Sequence, residues 1–448
     1  MTRETVSLEI AERLVGFAAA AGATQAEALV TGRESALTRF AGGAIHQNVA
    51  ESDLAANLRF VIGRRIGVAA SNRLDDDGLH ALVERAGQIA RVQEELPDFV
   101  SLPAPGPIPA VAGGYDEATA QATPDKRADV VLAVVGEARK AGVSASGSFT
   151  TSVDAMAVAN SLGIRAAQET TEASLVVVGI GGDGEAGYAE ALGVRVADID
   201  AVGAGAEAAR RTRECRDPMP LPPGEYSVVL EPYAVADLVE TVAHLGFSAQ
   251  VVHEGRSFYE AGRRIGSELV SIWDDGTDPS GTPMAFDYEG VGKRRVDLVV
   301  DGMAGSLLHD SATASRDGTS STGHALPAPN PWGPLALNLF MGAGESSRAD
   351  LIGGLDRGLI VTRFHYTNTV HPKLAIVTGM TRDGTFLVER GEIVGPVRNL
   401  RFTQSYLDAL LSVQAVGSAR RRLSGQVGSV VVPAVRIGAF EFTGATEH

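Results

Sequence analysis

Read for the spacing of its apolar positions, the chain changes character partway along. "TVSLEIAERLVGFAAAAG" opens with helical periodicity, Val-, Ile- and Leu-rich runs such as "LAANLRFVI" follow as strands, and "DDDGLHALVERAGQIAR" predicts a second helix. The same order then recurs: "DKRADVVLAVVGEARKAG" reads as a helix, "ASLVVVGIG" as a strand and "ADIDAVGAGAEAARR" as a helix. Small residues keep step between the two passages. Ala21-Gly22 falls on Ala141-Gly142, Gly43 on Gly163 and Gly67 on Gly187, so an internal duplication is the simplest reading, with units over about 5–89 and 125–211. "LPDFVSLPAPGPIPAVAGGYDEATAQATPD" joins them as a Pro- and Gly-rich surface connection. The glycine-rich "GIGGDGEAG" lacks the strand-to-helix context of a phosphate cradle and aligns with "IGRRIG" of the first unit, which makes it a hairpin tip.

Four prolines between Pro218 and Pro223 resist helix and central strand alike, so the expected division is 1–217 and 224–448. Beyond it the pattern is mostly β. Asp301-Gly302 and Arg390-Gly391 sit between apolar runs as hairpin turns, and "SGQVGSVVVPAVRIGAFEFTG" is strand-like to its end. The fold class expected is α+β: a duplicated helix–sheet–helix N-terminal domain followed by a mostly β, barrel- or sandwich-like C-terminal domain.

Composition narrows the function. With 44% hydrophobic and 21% charged residues the 448-residue chain reads as a soluble globular protein, and no run approaches the ~18–20 apolar residues that span a bilayer. "MTRETVSLEI" lacks the basic-then-apolar order of a secretion signal, so a cytoplasmic protein is expected. A net charge of −16 opposes direct contact with nucleic acid phosphates, and the densest basic run is only Arg420 to Arg422. The single cysteine, Cys215, rules out an internal disulfide and a multi-cysteine zinc site.

One apolar stretch, "ADLVETVAHLGFSA", carries Glu240 and His244 four residues apart on a predicted helix. By spacing alone such a pair is an ordinary surface contact worth a few tenths of a kcal/mol. A peptidase zinc site instead needs about three protein ligands and a carboxylate to take a proton from the bound water. "VETVAH" resembles the H-E-x-x-x-H motif of the TldD branch of the TldD/PmbA family with valine, Val239, in place of the first histidine. The likeness extends through "IGSELVSIWDDGTDPSGTPMAFDYEGV", "VDGMAGSLLHDSATASRDGTSSTGHA", "DLIGGLDRGLIVTRF" and "TRDGTFLVERGEIVGPVRNL", and through the duplicated N-terminal region.

The departures choose the branch. The resemblance implies a ligand cysteine near the C-terminus, where "RRLSGQVGSVVVP" has Leu423 or Ser424. Valine has no lone pair and serine is a poor zinc ligand, so no metal is expected in this chain, and Glu240 and His244 stand as vestiges. The chain is therefore similar to the PmbA (TldE) branch. That implies a heterodimer with a TldD-like catalytic subunit holding the zinc, in a complex that cleaves unfolded or small peptides. Two rivals stay open: an independently active metallopeptidase with rearranged ligands, drawn from His244, His253, His365 and His371, and a non-proteolytic binding protein of the DNA gyrase modulator type. His365 and Tyr366, in "RFHYTNTVHP", are expected to line the substrate channel. Serine catalysis is not expected, since no pattern marks a nucleophile elbow.

Overall fold

The computed structural model describes residues 3–182 and 184–445. The first unit runs α1 (Arg3–Ala20), β1 (Gln25–Ala41), β2 (Ala44–Ile62), β3 (Arg65–Ser71) and α2 (Asp76–Val92). After the short α3 (Glu117–Ala120), the second runs α4 (Pro124–Lys140), β4 (Ser144–Asn160), β5 (Arg165–Ile180), β6 (Ala186–Gly193) and α5 (Ala201–Glu214). Together they build one antiparallel sheet in the order β3-β2-β1-β4-β5-β6, two meanders joined along β1 and β4. The tip of "GIGGDGEAG" joins β5 to β6, and its Asp183 lies outside the described residues.

Local chemistry repeats with the topology. Helices α1 and α4 both end in a left-handed glycine, Gly22 (φ 92°) and Gly142 (φ 70°). In each, the next N–H reaches back five residues: Ala23 to Ala18 O at 3.0 Å, and Val143 to Ala138 O at 3.0 Å. On β3 and β6 the equivalent glycines let a helix backbone lie against the strand. A Cβ on Gly67 would fall 2.1 Å from Ala86 O of α2, and one on Gly187 would fall 2.3 Å from Ala208 O of α5.

Alternation along the central strands decides what each face meets. Ala28 and Val30 of β1 point into the core under the helices, while Leu29, with Met156 and Val158 of β4, packs on Phe286 of the C-terminal domain. The linker between the repeats is more than a surface connection. Leu102 is buried, Pro103 O accepts from Asn160 Nδ2 at 2.8 Å, and a Cβ on Gly292 would strike Pro107 O.

The C-terminal half begins with β7 (Gly224–Leu230), α6 (Pro232–Gly246) and α7 (Ala249–His253), then β8 (Ile272–Asp274), β9 (Val296–Val300), β10 (Met303–Ala304) and α8 (Ser311–Arg316). It continues with β11 (Asn338–Met341), α9 (Arg348–Gly353), β12 (Arg357–His371), β13 (Ile376–Glu389), β14 (Glu392–Pro396) and β15 (Leu400–Ser405). Helix α10 (Tyr406–Leu411), β16 (Val413–Ser424) and β17 (Ser429–Ala445) complete it. Asp301-Gly302 and Arg390-Gly391 form the expected tight turns, all four residues at positive φ. Strand β7 pairs with β12 on one side and β17 on the other, so β17-β15-β13-β12-β7 closes on itself as a small barrel. The expected fold class therefore holds. Among the described residues no helix is long and apolar enough to cross a membrane.

Candidate functional site

Helix α6 starts at Pro232, whose fixed φ suits a first helical position, and is buried nearly all round, with Val235, Leu238, Val239 and Val242 in the main core. Its two acids stand one turn apart at Asp237 and Glu240. Glu240 is 3% exposed, so the surface-pair expectation for Glu240 and His244 fails. Each finds a separate backbone partner: Glu240 Oε1 accepts the Val427 N–H at 3.1 Å, and His244 Nε2 lies 3.4 Å from Ala336 O. The reason is that α6 packs against β7, β12 and β17, which buries Glu240 and leaves His244 half-buried.

Asp237 accepts from Tyr406 Oη and Thr367 Oγ1, both at 2.7 Å. Burial, with Glu240 adding repulsion, holds its carboxyl above the ordinary value against those two bonds. Across a cavity of about 230 Å³, strand β6 contributes Tyr188 and Glu190. Glu190 accepts from Tyr188 Oη at 2.6 Å and from the Ser424 N–H at 2.8 Å, and burial again raises its carboxyl. Arg363 of β12 lies 4.2 Å over the Tyr188 ring and donates to Asp383 Oδ2 at 2.5 Å. Arg421 ties the domains together by donating to Glu207 Oε2 at 2.8 Å and Glu190 O at 2.6 Å.

This arrangement does not fit a zinc ion. Val239 is fully buried in apolar surroundings, Leu423 lies in the same core opposite Val430, and Glu240 Oε1 is engaged by a backbone donor. Nor are the alternative histidines brought together. His253 Nε2 lies 2.7 Å from Asp317 Oδ1, and His244 stands on α6. His365 and His371 pair with Met380 and Ile376, so they sit about 13 Å apart along the strand at ~3.3 Å per residue. Among the described residues no three His, Cys, Asp or Glu side chains gather closely enough to hold a metal ion.

Arg363 and Phe364 line the cavity, and the chain leaves it just beyond them. Tyr366 is 73% exposed at a bulge (φ 52°), its ring 4.2 Å from that of His365, whose imidazole is held below its ordinary value by partial burial and by Arg382 and Arg363. Sequence reasoning missed Asp237, Tyr188, Glu190 and Arg363. Only Asp237 carried a signal, its i−3 spacing from Glu240. A second polar cluster, Thr322–His324–Asp274, has the order of a hydroxyl–imidazole–carboxylate relay, at 2.9 and 2.8 Å. All three are buried and the Thr322 hydroxyl donates to His309 O, so it braces the core.

Three domain models of one family match the chain: PmbA/TldA metallopeptidase domain 1 over residues 26–90, the central domain over 116–216 and the C-terminal domain over 223–444. A metalloprotease PmbA of Escherichia coli O157:H7 is 28% identical over 65% of this chain and 64% of its own length. A metalloprotease of Synechocystis is 26% identical over 43% of this chain. The chain spans only 42% of that relative's length, and less than two thirds of the PmbA protein's. Among solved structures, TldE from Thermococcus kodakarensis aligns with a TM-score of 0.89 at 21% identity, covering 97% of this chain and all of its own. A putative modulator of a DNA gyrase from Thermotoga maritima aligns at 0.86 and 20% identity, over 97% of this chain and 99% of its own. At these identities the two structures speak for the fold.

Proposed function

Because the chain belongs to the PmbA/TldD metallopeptidase family, we propose that it serves as the TldE-like, metal-free subunit of a cytoplasmic TldD/TldE-type peptidase complex. Its partner is a TldD-like chain that supplies the zinc chemistry, and the substrates are unfolded or small peptides. One observation carries this reading: Glu240, the motif carboxylate, has its Oε1 engaged by the Val427 N–H, and Val239 and Leu423 or Ser424 stand where the resemblance places ligands. In this role Glu240 fixes the loop between β16 and β17, which walls the cavity beside Asp237 and Glu190. The chain shapes the chamber and holds peptide; bond cleavage belongs to the partner.

The test compares three samples on a disordered peptide: this chain, a TldD-like partner, and both. Chelator-sensitive cleavage is expected only where the partner is present and is expected to be strongest in the mixture. Robust cleavage by this chain alone, lost in Glu240→Gln, would overturn the reading and make it an enzyme in its own right.

A further inference from the structure

The C-terminal domain seats a short tongue, residues 285–291, on the helix-free face of the six-stranded sheet. Phe286 is buried with Leu29, Met156 and Val158, and the Ala285 N–H donates to Gln168 Oε1 at 2.9 Å. A Cβ on Gly290 would fall 2.5 Å from Ile164 Cγ2, so the turn of the tongue lies hard against the sheet. The polar part of this joint is one ion network. Arg59 Nη2 of β2 donates to both carboxylate oxygens of Glu27 on β1, at 2.7 and 2.8 Å, and to Glu289 Oε1 of the tongue at 2.9 Å. Glu289 also accepts the Ser311 N–H at 3.0 Å and the Ser311 hydroxyl at 2.7 Å, at the start of α8.

Charge around that guanidinium does not balance. Asp287 stands at the base of the tongue and accepts the N–H groups of Glu289 and Val291 at 3.0 Å and of Ala325 at 2.9 Å. Asp310 caps α8, accepting from the Thr313 N–H at 2.8 Å and its hydroxyl at 2.7 Å. Lys293, the nearest lysine along the chain, lies 3.4 Å from Asp274 instead, and Asn160, opposite Glu27 on β4, is neutral. Among the described residues Arg59 is the only cation paired with these acids. Fully ionised, the joint holds four negative charges against one positive, with Glu27, Asp287 and Glu289 buried. Burial outweighs Arg59 and lifts the Glu27 carboxyl to about 7, and burial with Glu289 adding raises Asp287 and Asp310. Once the surfaces part and water reaches these groups, the carboxyls return towards their ordinary values. The closed joint therefore binds more protons than the open one, so it is favoured at low pH and loses that advantage as pH rises.

We propose that the tongue is a pH-governed latch: its neutral carboxyls hold the sheet on the C-terminal domain, and the fully ionised cluster releases it. The cleft of about 470 Å³ lined by Met156, Met284 and Tyr288 lies between the same two surfaces, so release widens it. The latch needs neither a partner chain nor a substrate and stands apart from the peptidase-subunit reading.

Hydrogen exchange of the whole chain at pH 6 and pH 8.5, expressed as protection corrected for the intrinsic rate at each pH, tests it. Protection of the tongue is expected to fall at least about tenfold between the two, while β13 of the small barrel keeps its own. Glu27→Gln, neutral at both pH values, is expected to show a smaller fall in the tongue. A fall below tenfold in the parent, one shared by β13, or one as large in the variant would overturn the proposal. Should Glu27→Gln fail to fold, Asp310→Asn, which keeps an acceptor for the Thr313 N–H, takes its place with the same expectation.

Discussion

Glu240 sits on α6 with 3% of its surface exposed, its Oε1 holding the Val427 N–H at 3.1 Å and lying 2.8 Å from where a Cβ on Gly425 would fall. Truncation in Glu240→Ala leaves that N–H without an acceptor and opens a gap beside the loop. A hydrogen bond to a charged group contributes about 1.5–3 kcal/mol net. For a unit of roughly this size each kcal/mol moves Tm by about 2–4 °C, so Glu240→Ala is expected to lower Tm by about 3–12 °C. Glu240→Gln keeps an oxygen acceptor of the same reach, and its loss is expected to stay below about 1 kcal/mol. Differential scanning calorimetry on both variants, with a peptidase assay of the glutamine variant in complex, separates anchoring from catalysis. Anchoring predicts a large stability loss for Ala, a small one for Gln and complex activity within about twofold of the parent. A glutamine variant that keeps its Tm but loses ~10²–10⁴ in rate would assign proton transfer to Glu240 and refute the reasoning. An alanine variant as stable as the parent would show that the Val427 bond contributes nothing.

Three further outcomes test other parts of the structure. Gly67→Ala and Gly187→Ala each drive a methyl into a helix backbone and are expected to destabilise by about 1–3 kcal/mol or more, to similar extents, in urea titrations; one harmless substitution would break the equivalence of the two repeats. Glu27 is buried and shares Arg59 with Glu289, so burial outweighs that one cation and raises its carboxyl from 4.5 to about 7. Its contribution to stability is thus fully present below about 4.5 and lost as pH rises through about 7, so Tm is expected to fall across that window and to fall less in Glu27→Gln; an identical slope in the variant would contradict the assignment. Burial, with Asp383 and Glu214 nearby, pushes the Cys215 thiol up to about 12, so iodoacetamide at pH 8 is expected to label it at least ~100-fold more slowly than free cysteine, and rapid labelling by mass spectrometry would count against the burial.

Periodicity, turn chemistry and repeated glycines made the fold class legible along the chain, because each is a local or near-local constraint. A helix capped by Gly22 or Gly142, a tight turn at Asp301-Gly302 and a strand whose Gly67 or Gly187 admits a helix are all written within a few residues of where they act. The same holds for the motif helix and for the substitution of Val239 within it. What Glu240 does was not legible, since its partner Val427 lies 187 residues away. The meeting of Glu190 from β6, Arg363 from β12 and the loop after β16 around α6 depends on how the N-terminal sheet docks on the closed strands of the C-terminal domain. The pattern of apolar positions records which residues are buried. Which buried polar group faces which is decided by long-range packing, where an acid spaced for a surface pair becomes the anchor of a loop.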